Sequence, residues 1–233
     1  MHVRTSAILV CSFLSLVART GRADEPAKSS PPLYGVEGKC ILQADFASAK
    51  LDDAWQIEKG KWEVKDGVLT GVQVPEQNHA AVLRHELAFH DFVAEFVFKF
   101  DGGKALKLVL NKNTVHIATV AIWPAEVTID KQPEKDSGKK IRRLDAQKVK
   151  LTPDDLHTAV VEVIGNLIVA AVDDSVVVFG TDDGLDIDKT DFDFAANGSA
   201  AIKSIKFCQA SAPEDIDTAR RKLQELREAK SGQ

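Results

Sequence analysis

The stretch His157 to Gly180, HTAVVEVIGNLIVAAVDDSVVVFG, constrains the fold more than any other part of this chain, because it reads strand, turn, strand, turn, strand. Gly165-Asn166 lies between two β-branched runs and can supply the positive φ angles of a two-residue hairpin. That turn sets Ile164 opposite Leu167 and Val163 opposite Ile168. One face then gathers Ala159, Val161, Val163, Ile168, Ala170 and Val172, with nothing polar on it. The other carries Thr158, Val160, Glu162, Ile164, Leu167, Val169, Ala171 and Asp173, a mixture that suits a half-open surface. A second turn at Asp174-Ser175 is expected to return Val177 and Phe179 to the apolar face. The pattern predicts an antiparallel meander with one committed core face.

Further strands follow along the chain. Cys40, Leu42, Ala44 and Phe46 alternate onto one face, and Trp62 to Val74 reads as a hairpin turning at Asp66-Gly67. In that hairpin Trp62 falls opposite Gly71, where a missing side chain leaves room for the indole. His79 to His85 is a short strand. Asp91 to Asp101 puts Phe92, Ala94, Phe96, Phe98 and Phe100 on one side and Val93, Glu95, Val97 and Lys99 on the other. Burying each such phenylalanine is worth roughly 1.5 to 3 kcal/mol, so that side must face a core. Leu106 to Leu110, Val115 to Ile122, Val127 to Lys131 and Ala200 to Phe207 complete the strand count of a two-sheet β-sandwich. Gln132 to Lys150 holds seven lysines or arginines without a period and reads as an exposed excursion, a solvated charge run or a seat for an anionic ligand. Pro213 to Lys230 repeats Ile216, Ala219, Leu223 and Leu226 at helical spacing. This amphipathic helix either docks on the sandwich or meets a partner helix.

Met1 to Ala23 reads as a secretory signal peptide, with an apolar run too short to span a bilayer and small residues at Gly21 and Ala23. The expected organisation is signal peptide 1–23, disordered tether 24–37, sandwich 38–210 and helix 211–233, giving a secreted or periplasmic product without a membrane anchor. The formal net charge is −5, and the leader takes three arginines and no acid with it. An acidic surface repels phosphate backbones, so nucleic acid is not an expected partner.

Four stretches, GKWEVKDGVLTG, FHDFVAEFVFKFDG, LHTAVVEVIGNLIVAAVDDSVVVFG and DKTDFDFAANGSAAIKSIKF, resemble the 3-keto-disaccharide hydrolase group, also called DUF1080 or family 16-like glycoside hydrolases. The resemblance implies an all-β, concanavalin A-like jelly-roll sandwich of two antiparallel sheets. It also implies a carbohydrate ligand, either hydrolysed as a glycoside or 3-keto-glycoside, or bound without catalysis by a glycan-binding or structural module. The chain departs from the family pattern where an Asn-Ser-Gly segment often follows the phenylalanine strand. Leu156 stands in place of a frequent tryptophan, and the E-x-D-x-x-E signature of family 16 glucanases is absent.

Candidate chemistry centres on Glu95 and Glu162, both opposite the apolar side of long strands, where they are expected to share one concave surface. Glycoside cleavage needs such a pair, about 5 to 5.5 Å apart for retention and roughly 6.5 to 9.5 Å for inversion. A 3-keto sugar needs only one base and one acid. His116 is the histidine expected to reach Glu95 if their strands pair, with Trp123 as a sugar platform and Lys99 as a second substrate contact. The plain alternative is that all of these are ordinary surface residues. The five histidines beyond the leader, His79, His85, His90, His116 and His157, show no metal-ligand spacing. No cofactor is expected, and calcium at Asp182, Asp186 and Asp188 is a minor option. Cys40 and Cys208 are the two cysteines beyond the leader. A disulfide between them is open, since Cys208 is out of phase with Ile205 and Phe207 and a bulge would be needed.

Overall fold

The computed structural model describes residues 30–47, 51–134, 137–173 and 175–230. The leader, residues 24–29 of the tether and the last three residues lie outside the described part. Fifteen strands come first in order. They begin with β1 (Val36–Ala44), β2 (Trp55–Lys59), β3 (Lys61–Lys65), β4 (Val68–Val72) and β5 (Ala81–Phe89). Then come β6 (Phe92–Lys99), β7 (Ala105–Lys112), β8 (Val115–Trp123), β9 (Glu126–Lys131) and β10 (Arg142–Lys148). The last are β11 (His157–Ile164), β12 (Leu167–Val172), β13 (Val176–Thr181), β14 (Lys189–Asn197) and β15 (Ser199–Ser211), followed by helix α1 (Ile216–Lys230).

The strands form two antiparallel sheets. One runs β13-β12-β11-β6-β15-β4-β3, with β1 also paired to β15 to make eight, and the other runs β10-β9-β8-β7-β14-β5-β2. Non-consecutive neighbours such as β6 beside β11 and β14 beside β7 give the jelly-roll connectivity. Phe92, Phe96, Phe98, Phe192, Phe194 and Phe207 interlock between the sheets, each 1% exposed or less. The hairpin registers follow the turn chemistry, with Val163 opposite Ile168 and Trp62 opposite Gly71. A Cβ on Gly71 would stand 2.5 Å from the Trp62 ring, so this glycine is required by close approach.

Three expectations change, and the structure also bears on two alternatives that the sequence leaves open. Val177 and Phe179 pair with Ala171 and Val169 on the outer face, while Val176 and Val178 enter the core. Val172 pairs with Val176, so the loop between them holds an odd number of residues, which inverts the strand's facing. The second face of the meander is sealed, with Val160, Ile164, Leu167 and Val169 all buried. Its cover is the segment expected to be a disordered tether. Leu33, Tyr34 and Gly35 lie on β11, where their amides donate to Glu162 at 2.5, 3.1 and 2.7 Å, and β1 begins at Val36. Helix α1 closes the remainder, with Leu223 1% exposed against Val177 and Ala171 and with Arg227 gripping Asp145 at 2.7 and 2.9 Å. Leu223 of the helix's apolar stripe therefore packs on its own sheet, while Ile216 at the start of the helix stays 44% exposed. Finally, Cys40 and Cys208 face each other across β1 and β15 and form a disulfide. The parity conflict is relieved by register shifts on both sides of Cys40.

At one end of the sandwich Lys189 is 1% exposed and donates to the carbonyls of His90 at 3.0 Å and Leu185 at 2.7 Å. Burial pulls its ammonium down to about 8, against the attraction of Asp91, Asp186 and Asp188. The unfolded chain then holds this proton more tightly than the folded one. The residue's contribution is full above the ordinary lysine pKa and is lost as pH falls through about 8. Wild-type stability measured against Lys189→Met should therefore rise between about pH 8 and pH 10.5 by on the order of 2 to 3 kcal/mol. Parallel pH profiles for the two proteins, from urea unfolding, would contradict this.

Candidate functional site

The sequence-predicted residues fall on two different faces. Glu95, Glu162 and Lys99 stand on the outer face of the eight-stranded sheet. Glu95 accepts from the Ser30 amide, and Lys99 lies 3.2 Å from Asp101. Glu162 is wholly buried beneath the Leu33–Gly35 segment, where burial raises its carboxyl and the three amides partly oppose that rise. His116 and Trp123 belong to β8, on the other sheet, which is not paired with β6. Glu95 and Glu162 thus share a face, as expected, but His116 does not join them, because the sandwich core of roughly 10 Å lies between.

The outer face of the seven-stranded sheet holds a groove of about 810 Å³. Its geometry follows from strand register. Val82, Ala195, Lys107, Ala121 and Thr128 pair in turn across β5, β14, β7, β8 and β9. Four of these side chains are small, so a trough runs across the strands for about 19 Å, with Lys107 rising from its floor. The neighbouring row reads Arg84, Asp193, Val109, Thr119, Asp130, Arg143. Arg84 donates to Asp193 at 2.9 and 3.4 Å and to Glu58 at 2.8 Å, and Arg143 is bonded to Asp130. Burial works against the Arg84 charge, but the Asp193 contact and the Glu58 and Asp191 carboxylates outweigh it and hold the guanidinium above its usual range. The Asp130 hydrogen bond does the same for Arg143. On the opposite flank stand Trp123 and Asn197, with the Lys107 ammonium 5.6 Å from the indole centre.

Two polar atoms in this lining have no partner within the described chain. Thr128 Oγ1 lies in the trough row on a residue only 1% exposed, and Asn197 Oδ1 is buried on the flank. A buried hydroxyl or amide oxygen without a bond costs roughly 1 to 3 kcal/mol.

At one end of the groove Asp191 accepts from Asn111 Nδ2 at 2.8 Å, and Asn111 Oδ1 meets His116 Nδ1 at 2.7 Å. The amide orientation assigned by Asp191 leaves Asn111 an acceptor, so the neutral imidazole carries its proton on Nδ1 and presents a basic Nε2. Among the described residues that line the groove no second free acid stands beside it, since Glu58, Asp130 and Asp193 are each held by an arginine.

The aspartates considered for calcium do not converge. Asp182 is bonded to Arg142 and caps Gly184, and among the described residues only Asp186 joins a set with ligand spacing, together with His90 and Asp91. The Lys189 ammonium, bonded to the His90 carbonyl, opposes a cation there.

Arg84, Lys107, Thr128 and Asp193 were not singled out from sequence. The alternation Asp191-Phe192-Asp193-Phe194 is the signal that could have found the last of them, with phenylalanines to the core and aspartates to the groove.

No protein-family model matches the chain, and no curated protein matches it. Solved structures do. The apo Crh5 transglycosylase is 15% identical, with a TM-score of 0.56 over 84% of this chain and 96% of that one. SCLam, a non-specific endo-β-1,3(4)-glucanase of family GH16, is 11% identical, with a TM-score of 0.55 over 76% and 95%. The carbohydrate-binding module CBM66 from Bacillus subtilis is 13% identical, with a TM-score of 0.52 over 68% and 94%. At these identities the likeness defines the fold, and the chain is a concanavalin A-like jelly-roll sandwich with a C-terminal helix. No helix among the described residues is long and apolar enough to cross a membrane.

Proposed function

We propose that this protein is a glycan-binding module that holds its ligand in the trough on the seven-stranded sheet and does not cleave it. One observation carries the reading, the trough of small side chains flanked by Trp123. An indole offers a sugar ring a broad apolar face, while Arg84-Asp193 and Arg143-Asp130 present fixed donors and acceptors along the opposite wall. Glu58, Asp130 and Asp193 are each engaged by an arginine, so none of the three is placed as a free acid for a leaving oxygen. The names of the structural neighbours, transglycosylase, glucanase and carbohydrate-binding module, support a saccharide ligand. The Cys40–Cys208 bond and the leader-like N-terminus support a secreted or periplasmic setting.

A second reading, cleavage of a glycoside or 3-keto-glycoside, is favoured by the Asp191-Asn111-His116 chain, which orients a base at the groove's end. The two separate in one experiment. A panel of oligosaccharides and 3-keto-glycosides is titrated calorimetrically and assayed for new reducing ends. Binding without turnover is expected, with Trp123→Ala weakening it about tenfold or more. Turnover that is abolished by His116→Gln would establish the enzyme reading instead.

A further inference from the structure

The seven-stranded sheet's groove differs in charge from the acidic protein that carries it. Four cationic side chains, Lys59, Arg84, Lys107 and Arg143, face three carboxylates, Glu58, Asp130 and Asp193. The arginines engage all three carboxylates, whereas among the described residues Lys59 and Lys107 have no carboxylate within ion-pair distance. Lys107 stands at the middle of the trough, between Ala195 and Ala121, where neither neighbour shields it. The basic excursion adds to this. Its Ile141 and Arg143 line the groove, and Ile141 is 59% exposed with Lys139 and Lys140 exposed beside it. The whole chain has a net charge of −5, so a cationic groove is a local feature and not a consequence of composition.

We infer that the ligand of this groove is an acidic saccharide, whose carboxylate or sulfate groups are held by Lys107 while a neighbouring ring lies on Trp123. The inference rests on the glycan reading above and narrows its ligand class. An ammonium beside an aromatic face suits a chain that alternates apolar ring faces with anionic substituents. A neutral saccharide would leave the half-buried Lys107 ammonium without a counter-ion on the floor of the groove. The Lys107 ammonium and the Trp123 face lie close enough for one sugar residue and its substituent to engage both.

The test is calorimetric titration of the full chain with an oligogalacturonate, a sulfated galacto-oligosaccharide and a neutral β-gluco-oligosaccharide, at about 0.02 M and about 0.5 M salt. The wild type is expected to bind one or both acidic probes more tightly than the neutral one, and to lose most of that preference at the higher salt. Which acidic probe binds identifies carboxylate or sulfate as the recognised group. Lys107→Met should weaken the acidic complex about tenfold, a larger loss than any it causes for the neutral probe. Thermal melting of the variant confirms its fold, and Lys107→Arg should restore much of the affinity. A neutral oligosaccharide bound as tightly as the acidic ones, with Lys107→Met and salt without effect, would overturn the acidic-ligand inference and leave the glycan-binding trough standing. No binding of any probe would remove both.

Discussion

Replacing Cys40 and Cys208 together with alanine is expected to lower the unfolding free energy by about 5 kcal/mol, the chain-entropy value for a cross-link that closes most of a domain. The bond joins residues separated by 168 positions, so its loss frees nearly the whole sandwich in the unfolded chain. Its folded-state role is local. β1 pairs only with β15, its burial is partial along most of its length, and two register shifts interrupt its ladder around Cys40. Guanidinium unfolding of wild type, wild type with reductant and the double variant measures the effect. The two perturbed forms should agree with each other. A loss below about 1 kcal/mol would mean that strand pairing alone restricts the chain, and that the entropic account fails for this bond.

Glu162→Ala is expected to cost about 3 to 5 kcal/mol and to release the N-terminal cover from β11, because three amides at Leu33, Tyr34 and Gly35 lose their only acceptor in a buried setting. Glu162→Gln keeps the shape but turns an amide NH2 toward those donors, so it should be intermediate. Its pH behaviour separates charge from shape. Burial is the largest influence on the Glu162 carboxyl and raises it, with the Gly35, Leu33 and Tyr34 amides acting in the opposite direction. A carboxyl raised in the folded state contributes most at pH below its unfolded value, and that contribution falls as pH rises through the folded one. Urea titrations between about pH 4 and pH 7 should show this decline in wild type and not in Glu162→Gln. Limited proteolysis near Ser30 reports the released cover. A Glu162→Ala variant with wild-type stability and an intact N-terminus would show that the cover is held by Tyr34 and Leu33 packing alone.

The core was legible in sequence where two periodicities agreed. The phenylalanines of β6 and the aliphatic face of β11 and β12 alternate without interruption, and a two-residue turn leaves one register open. Three strands were not read. β2 is five residues with one buried side chain, β10 lies inside the basic excursion, and β14 was hidden by its aspartates. Asp191 and Asp193 alternate with Phe192 and Phe194, so the strand pattern was present beneath the acidic run.

The candidate site was less legible for a specific reason. Alternation shows which residues share the face of one sheet but does not say which sheet a strand joins. Glu95 and His116 each point away from the core, yet in opposite directions from the sandwich. The sealing of Glu162 depends on residues more than 120 positions away, a contact with no local signature. The trough likewise emerges only when five strands align Val82, Ala195, Lys107, Ala121 and Thr128.

Ligand binding in this trough without reaction is tested most directly by amide chemical-shift mapping of the isotope-labelled protein with a bound oligosaccharide. Perturbations are expected at Lys107, Ala121, Trp123, Thr128, Ala195 and Asn197, with the oligosaccharide spectrum unchanged over the experiment. Perturbations centred instead on Glu95, Val160 and Ala171 of the eight-stranded sheet, or the appearance of cleaved product, would contradict the account.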